Sequence, residues 1–184
     1  ITDKFIAKLK KGNKEATKRY QRAMKAKMIF GKGYFFFIDK VNRQRPEMYK
    51  NLGLMVKASQ LCTEIFLHSD FEHTYTCVLA WKNLAKADEW EGTDSVFVST
   101  VFLDCVVSEF LEMARKIPGM EKAVRATEKG RAIGLGAGGF HTYLQEHGFE
   151  WGAMDAHLFN GRIFKHIDEE SLKASQWLAK ELGE

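Results

Sequence analysis

The sequence is poor in residues that cross-link or interrupt a chain, with three cysteines and two prolines among 184 residues. A small, odd number of cysteines argues against a disulfide-stapled secreted module and favours a reducing, cytoplasmic setting. No apolar run approaches the ~20 residues of a membrane span, and the first residues show no signal-peptide pattern. What remains is a composition of 45% hydrophobic and 28% charged residues, which is typical of a globular domain with a core.

Positive charge is concentrated at the start of the chain. Residues 1–50 contain fifteen Lys/Arg and four Asp/Glu, whereas the remaining residues contain thirteen and twenty. A basic arm can bind nucleic acid by neutralising phosphates, but the aromatic block 34–38 is continuous and not interleaved with basic residues. Nucleic-acid binding is therefore the less favoured interpretation. We interpret the basic residues of 4–27 as the solvent-facing side of a helix whose apolar face includes Phe5, Leu9, Tyr20, Met24 and Met28.

Apolar spacing and scarce proline predict a helix-rich chain. The predicted helices cover residues 3–10, 14–30, 94–116, 120–129, 138–147 and 153–182. Short strands are predicted at 34–39 and 75–79, a β-permissive stretch at 61–67, and a loop at 43–50 around Pro46. A few strands between long helical stretches indicate an α/β protein that forms part of a barrel or sheet.

The glycine-rich segment 134–139 satisfies the pattern GxGxxG and precedes a predicted helix. A dinucleotide site needs an apolar strand directly before the glycines and an acidic residue about 20 residues later. Residues 128–133 make a poor strand, and no second strand ending in an acid follows at that distance. We therefore interpret the glycines as close packing of a short strand against a helix.

Four potential metal ligands, Cys62, His68, His73 and Cys77, are separated by five, four and three residues. Structural zinc sites usually use tighter pairs. The two histidines flank the polar residues 69–72, where histidines are ordinarily solvated. The sequence therefore predicts no metal site.

A more specific pattern lies at 59–65, where Cys62 and Glu64 are two residues apart in a β-permissive stretch. Side chains alternate along a strand, so these two would point the same way, together with Gln60. A thiol beside a carboxylate is poorly suited to act as a thiolate, but it suits chemistry of a neutral thiol or a sulfur radical with the carboxylate moving a proton. A buried cysteine with a capping or salt-bridged glutamate remains the alternative at this point.

Residues 59–65, SQLCTEI, resemble the S-N-L-C-x-E-I signature of the large, catalytic subunit of ribonucleotide reductase, the class I enzymes in particular. Residues 75–84 resemble the second cysteine strand of that family. Residues 131–144 are similar to its R-x-(I/L)-G-(I/L)-G-x-x-x-F-x-x-Y-L segment, and residues 172–183 to the helix that follows. Four segments in order over most of the chain make the resemblance specific.

The resemblance implies a fold and a site. It implies part of a ten-stranded α/β barrel with a central finger loop, here with a basic helical part at 1–30, the finger loop and strands at 34–84 and a helical part at 95–184. Cys62 matches the radical cysteine, Glu64 the carboxylate that takes the 3′-hydroxyl proton, and Cys77 one member of the reducing cysteine pair. The residues implied to bind substrate are Ser59, Gln60, Leu61, Cys62 and Glu64. Cys105 has no counterpart, and we expect it to be a small buried residue inside its helix.

Two departures from the family pattern bear on activity. Gln60 stands where the family has Asn, so its amide must shift by about an ångström or its side chain must fold back. Misplacement on that scale can lower a rate about a hundredfold. The chain is also several times shorter than a large subunit. We therefore expect a segment, 1–184, from the middle of the catalytic barrel, either a phage split-gene product in the host cytoplasm or an excised fragment, inactive alone.

The resemblance also implies partners. They are the remaining large-subunit fragments, a metal-containing small subunit that generates the radical, the ribonucleotide substrate and a thioredoxin- or glutaredoxin-type reductant. No cofactor is expected to bind this chain directly, and ATP or dNTP effectors would bind regions outside it. The alternative is a non-catalytic fragment that binds a reductase subunit or nucleic acid.

Overall fold

The computed structural model describes residues 1–183, which fall into two compact units, Ile1–Tyr75 and the chain from Thr76 onward. Glu184, the last residue of the predicted helical part, lies outside the described residues. The first unit contains four helices: α1 (Asp3–Lys10), α2 (Lys14–Phe30), α3 (Ile38–Gln44) and α4 (Glu47–Asn51). The second contains strands β1 (Leu79–Asn83) and β2 (Gly134–Gly138), a 3-10 turn (Leu84–Lys86) and five helices: α5 (Ala87–Trp90), α6 (Ser95–Ala114), α7 (Glu121–Gly130), α8 (Phe140–Glu146) and α9 (Met154–Leu182).

The two basic helices begin and end where the sequence predicts. The side chain of Asn13 accepts a hydrogen bond from the Ala16 backbone N–H and so caps α2. Gly12 precedes it with φ +68°, a left-handed conformation that glycine adopts without strain. The predicted apolar face is shorter than expected, because Met28 is 82% exposed.

The predicted strand at 34–39 is wrong. Residues 31–37 form no regular structure and α3 begins at Ile38, since this aromatic segment finds no strand to pair with among the described residues. Its rings stack instead, Phe35 on Tyr20 at 5.9 Å and Phe36 on Phe66 at 5.3 Å between centroids. The predicted loop at 43–50 is also partly wrong, because α4 starts directly after Pro46, a position where a missing N–H costs nothing.

The second unit is built around two parallel strands. Leu79 pairs with Gly134 and Asn83 with Gly138, at the ends of an unbroken register. The predicted strand at 75–79 is displaced toward the C-terminus, and residues 61–67 form no strand. The reason is non-local: residues 79–83 form the partner of the glycine strand, and that pairing is not visible in local apolar content.

Helices cover the sheet and enclose two apolar clusters. Helix α6 packs on α9 and on α7. The first cluster comprises Leu84, Ala87, Trp90, Val96, Tyr143, Leu144, Ala156, Phe159, Ile163 and Ile167. The second comprises Val78, Leu103, Val107, Leu111, Ala114 and Val124. The helices predicted at 94–116, 120–129, 138–147 and 153–182 are confirmed to within a few residues, and so is the helix-rich α/β class.

One buried ion pair links α6 to the end of α7. Arg131 has φ +38° at the C-cap of α7, and its guanidinium donates to both carboxylate oxygens of Asp104, at 3.0 and 2.7 Å. The side chains are only 17% and 9% exposed. The left-handed backbone at Arg131 thus directs a charged side chain to a buried partner.

Among residues 1–183, no helix combines the length and the apolar character that a membrane crossing requires.

Candidate functional site

The segment around Cys62 is a tight turn, not a strand. Thr63 has φ +64°, and its N–H donates to the Gln60 carbonyl oxygen at 3.2 Å. Side-chain alternation requires extended backbone on every residue concerned. The predicted strand geometry for Gln60, Cys62 and Glu64 is therefore wrong, although a single turn still holds all three residues close in sequence and space.

Gln60 closes this turn. Its Oε1 accepts a hydrogen bond from the Ile65 backbone N–H at 2.9 Å. Its Nε2 is buried and has no hydrogen-bond partner within the part of the chain that the structure describes. The side-chain oxygen of Gln60 therefore accepts a hydrogen bond, whereas its buried Nε2 donates none to the described residues. A buried donor without an acceptor lowers the stability of the folded chain.

Cys62 and Glu64 face solvent on the same turn. Between Ile1 and Gly183, neither side chain has a hydrogen bond or an ion pair, so the alternative of a buried cysteine with a salt-bridged glutamate does not describe this turn. Leu61 beside them is 91% exposed, an unusual position for a large apolar side chain. Ser59 completes the turn by donating from Oγ to Thr63 Oγ1 at 3.4 Å.

The other two cysteines lie in the second unit. Cys77 is exposed and directly precedes Val78, a core residue, at the start of the sheet region. Cys105 is exposed as well, so the expectation of a buried residue is wrong. The buried side of α6 is formed by positions such as Leu103 and Val107, and Cys105 lies on the opposite side of the helix.

The glycines of β2 permit close approach of β1. A Cβ at Gly134 would lie 2.6 Å from Leu79 Cδ2, and one at Gly138 would lie 2.7 Å from the Trp81 ring. Gly139 has φ +82° and leads into α8. Close packing is therefore the correct explanation of the glycine motif. The glycines pack against side chains of the neighbouring strand, whereas a helix was the expected partner.

His68, Asp70 and His73 form a polar cluster that the sequence did not predict. Both histidines were expected to be solvated, but their side chains are 15% and 20% exposed and each has a ring nitrogen beside an Asp70 oxygen. The hydrogen bond from His73 holds the pKa of the Asp70 carboxyl well below its usual range. The only signal in the sequence is the spacing H-x-D-x-x-H, and this spacing is not specific for any one ligand.

The chain is similar in sequence to known proteins over most of its length. The family model described as "Ribonucleotide reductase, barrel domain" matches residues 3–184. A putative ribonucleoside-diphosphate reductase large subunit of Frog virus 3 (isolate Goorha) is 36% identical over 170 residues, covering 92% of this chain and 30% of that protein. The ribonucleoside-diphosphate reductase large subunit of Invertebrate iridescent virus 3 is 34% identical over 185 residues, covering 100% of this chain and 29% of that protein.

Among solved structures, the class Id ribonucleotide reductase alpha subunit of Actinobacillus ureae is similar with a TM-score of 0.90 and 38% identity. The similarity covers 100% of this chain and 35% of that one. The chain thus spans about a third of the length of the proteins it matches.

Proposed function

Since the chain belongs to the ribonucleotide reductase barrel-domain family, we propose that it supplies the reactive-cysteine segment of a large subunit that reduces ribonucleoside diphosphates to deoxyribonucleotides. The observation that carries the proposal is the single turn that presents Cys62 and Glu64 to solvent. The chain spans about a third of its relatives' length, so the proposed activity requires the rest of a large subunit and a small subunit that generates the radical.

The proposed reaction starts with a thiyl radical on Cys62, formed through the metal-containing small subunit. The sulfur takes the hydrogen atom from C3′ of the ribose, so that an S–H bond forms and a C–H bond breaks. The Glu64 carboxylate accepts the 3′-hydroxyl proton, which assists departure of the 2′-hydroxyl as water after it gains a proton.

A pair of thiols supplies two electrons and two protons overall. One proton goes to the departing 2′-hydroxyl, which leaves as water, and the other goes to C2′. We assign Cys77 to that pair, with the second thiol on a segment outside this chain. The pair becomes a disulfide, C2′ gains a hydrogen, and C3′ recovers its hydrogen atom from Cys62, which regenerates the thiyl radical. A thioredoxin- or glutaredoxin-type dithiol returns the disulfide to thiols by exchange.

Gln60 is assigned a substrate contact and a positioning role. Its Oε1 is engaged by the Ile65 N–H, whereas its buried Nε2 retains donors that a substrate hydroxyl can accept. Its extra methylene relative to Asn gives the amide the reach to close the turn. Ser59 and Leu61 flank it and complete the substrate-facing surface of the turn.

The test is reconstitution with the remaining large-subunit segments and a small subunit, with deoxynucleotide formation as the readout. We expect no turnover by the chain alone and turnover in the complete assembly. Cys62→Ala should abolish turnover, Glu64→Gln should lower it about 10²–10⁴-fold, and Cys105→Ala, which removes a similarly exposed thiol, should leave it unchanged. Full turnover with Cys62→Ala, or robust reduction by the lone chain, would contradict the proposal.

The alternative is a non-catalytic module that binds a reductase subunit or nucleic acid. The engagement of the Gln60 oxygen inside its own turn favours it, because one of the two lone pairs of that oxygen already accepts from the Ile65 backbone N–H. The same reconstitution separates the two: stable assembly without turnover supports the module. A mobility shift with short duplex DNA that weakens steeply with salt supports its nucleic-acid version.

A further inference from the structure

A cluster of two imidazoles and a carboxylate lies on the segment that follows the Cys62 turn. One ligand atom each from His68, Asp70 and His73 lies within 4.8 Å of the others. We propose that these three residues form a binding site for a divalent transition-metal ion, with Zn²⁺ as its type.

The spacing of the donor atoms suits such an ion. His68 Nε2 is 3.1 Å from Asp70 Oδ2, and His73 Nδ1 is 2.8 Å from Asp70 Oδ1. Tetrahedral zinc binds nitrogen and oxygen at about 2.0–2.2 Å, which places neighbouring ligand atoms about 3.3 Å apart. The two histidine contacts are to different oxygens of Asp70, and the three ligand atoms lie within 4.8 Å of one another. Side-chain rotations that move these atoms by up to about 1.5 Å therefore form a three-ligand site that a water completes.

The contacts of His68 favour a cation between its Nε2 and the Asp70 carboxylate. Its Nδ1 is 2.8 Å from the Met55 carbonyl oxygen, which can only accept, so Nδ1 carries a hydrogen. The lone pair on Nε2 of the neutral ring then points at a carboxylate oxygen, and two acceptors face each other at 3.1 Å. A divalent cation between them would bind both acceptors.

The surroundings also resemble those of a metal ligand. A histidine that binds a metal commonly donates its other N–H to a backbone carbonyl, which fixes the ring, as Met55 does here. Asp70 is fixed by backbone N–H groups of Glu72 and His73, both 2.8 Å from Oδ1. The orientation of the carboxylate toward both imidazoles is thus set by the backbone before any ion binds.

The second unit contains a matched pair without the third ligand. His147 Nδ1 is 2.9 Å from the Tyr143 carbonyl oxygen, and its Nε2 is 3.0 Å from Asp88 Oδ2. The same arrangement at 68–73 differs by having a second imidazole, and among the described residues only that cluster has three potential ligands. The His147–Asp88 pair therefore offers two ligand atoms, and His73 supplies the third at the 68–73 cluster.

The experiment is calorimetric titration of the chelator-treated chain with Zn²⁺, supported by Co²⁺ absorption, which reports tetrahedral coordination. We expect one ion per chain and selective shifts of the His68 and His73 ring resonances. Asp70→Asn and His73→Gln should each weaken binding at least tenfold. His147→Gln, which alters the matched pair, should leave the affinity unchanged. Circular dichroism establishes that each variant remains folded.

The outcomes separate this site from other ion sites and from the proposed function. Absence of stoichiometric binding, or unchanged affinity in both Asp70→Asn and His73→Gln, would overturn the proposal and leave a proton between His68 and Asp70. Loss of binding in Cys62→Ala or Cys77→Ala would assign the ion to thiols and also overturn it. Binding that persists in Cys62→Ala supports the site whether or not the chain takes part in ribonucleotide reduction.

Discussion

The two units are stabilised by different kinds of interaction. Both apolar clusters lie in the second unit, whereas the buried apolar residues of the first are Ala16, Tyr49 and Val56. The first unit relies on polar contacts, above all those of Asn42, whose side chain is buried between α3 and the segment that leads to the Cys62 turn. The candidate reactive residues thus lie in the unit with the smaller apolar core, while the unit with the larger core carries Cys77.

Hydrogen bonds of the Asn42 side chain stabilise the first unit, which has few buried apolar residues. Its Nδ2 donates to the carbonyl oxygens of Ile38 at 3.0 Å and Val56 at 2.8 Å, and its Oδ1 accepts from the Val56 N–H at 2.9 Å. The amide thereby satisfies a buried backbone pair in the way a neighbouring strand would. One side chain performs the role of a local sheet partner.

The largest effect is expected from the core of the second unit. Leu144 is 1% exposed, and Leu144→Ala should lower the free energy of unfolding by about 4 kcal/mol, from lost burial and the cavity that remains. All four tryptophans, Trp81, Trp90, Trp151 and Trp177, belong to this unit, so urea unfolding followed by their fluorescence measures it. Leu172→Ala, at a position 56% exposed on α9, is the matched control. Equal losses in the two variants would show that apolar burial does not stabilise this unit.

The buried ion pair of the second unit gives the next effect. Asp104→Asn leaves the Arg131 guanidinium partly buried without its carboxylate, and it should cost about 3 kcal/mol. The exposed pair Arg115–Glu128 provides the comparison, because Glu128→Gln should cost less than about 1 kcal/mol. Urea unfolding by tryptophan fluorescence measures both. A smaller loss for Asp104→Asn than for Glu128→Gln would contradict the assigned importance of burial.

In the first unit, Asn42→Ala should cost about 2 kcal/mol, since it leaves the Val56 N–H and C=O buried without partners. Amide hydrogen exchange over residues 53–58 should accelerate, while the tryptophan transition of the second unit stays at the same urea concentration. Gln44→Ala, on the exposed side of α3, is the control. A shifted tryptophan transition would show that the two units do not respond separately.

The smallest effect concerns pH. Hydrogen bonds from its own backbone N–H and that of Gly119 lower the pKa of Glu121 at the start of α7 below its ordinary value. Because the folded-state pKa is the lower one, its contribution to stability is present above the unfolded pKa of about 4.5 and is lost as pH falls through the folded value. Carbon-detected NMR titration should give Glu121 a midpoint below the ordinary glutamate value of about 4.5. Glu121→Gln should remove this part of the acid sensitivity.

Local signals predicted one part of the molecule well. The long helices α2, α6 and α9 follow from apolar spacing, and Gly31 and Gly183, directly after α2 and α9, adopt the left-handed conformation typical of helix ends. Cys62, Glu64 and Cys77 were singled out by sequence pattern, and their proposed roles remain predictions. These inferences needed only residues near one another in the chain.

The errors arise where distant residues decide the structure. The glycine segment 134–139 is interpreted from the sequence as a closely packed short strand, but its partner, strand 79–83, is distant in the chain and is not identified by local sequence. The Cys62 turn was missed because Thr63 adopts a conformation that β-branched residues rarely take. Cys105 was misplaced because α6 is apolar around most of its circumference, so composition does not reveal its buried side.

The left-handed backbone of Thr63 limits which residues this position accommodates without strain. A β-branched residue in that region stores about 1–3 kcal/mol of strain, which glycine would release. Glycine would also remove the hydroxyl that Ser59 contacts and widen the conformations open to Cys62. Thr63→Gly would therefore exchange backbone strain at this residue for a looser turn around Cys62.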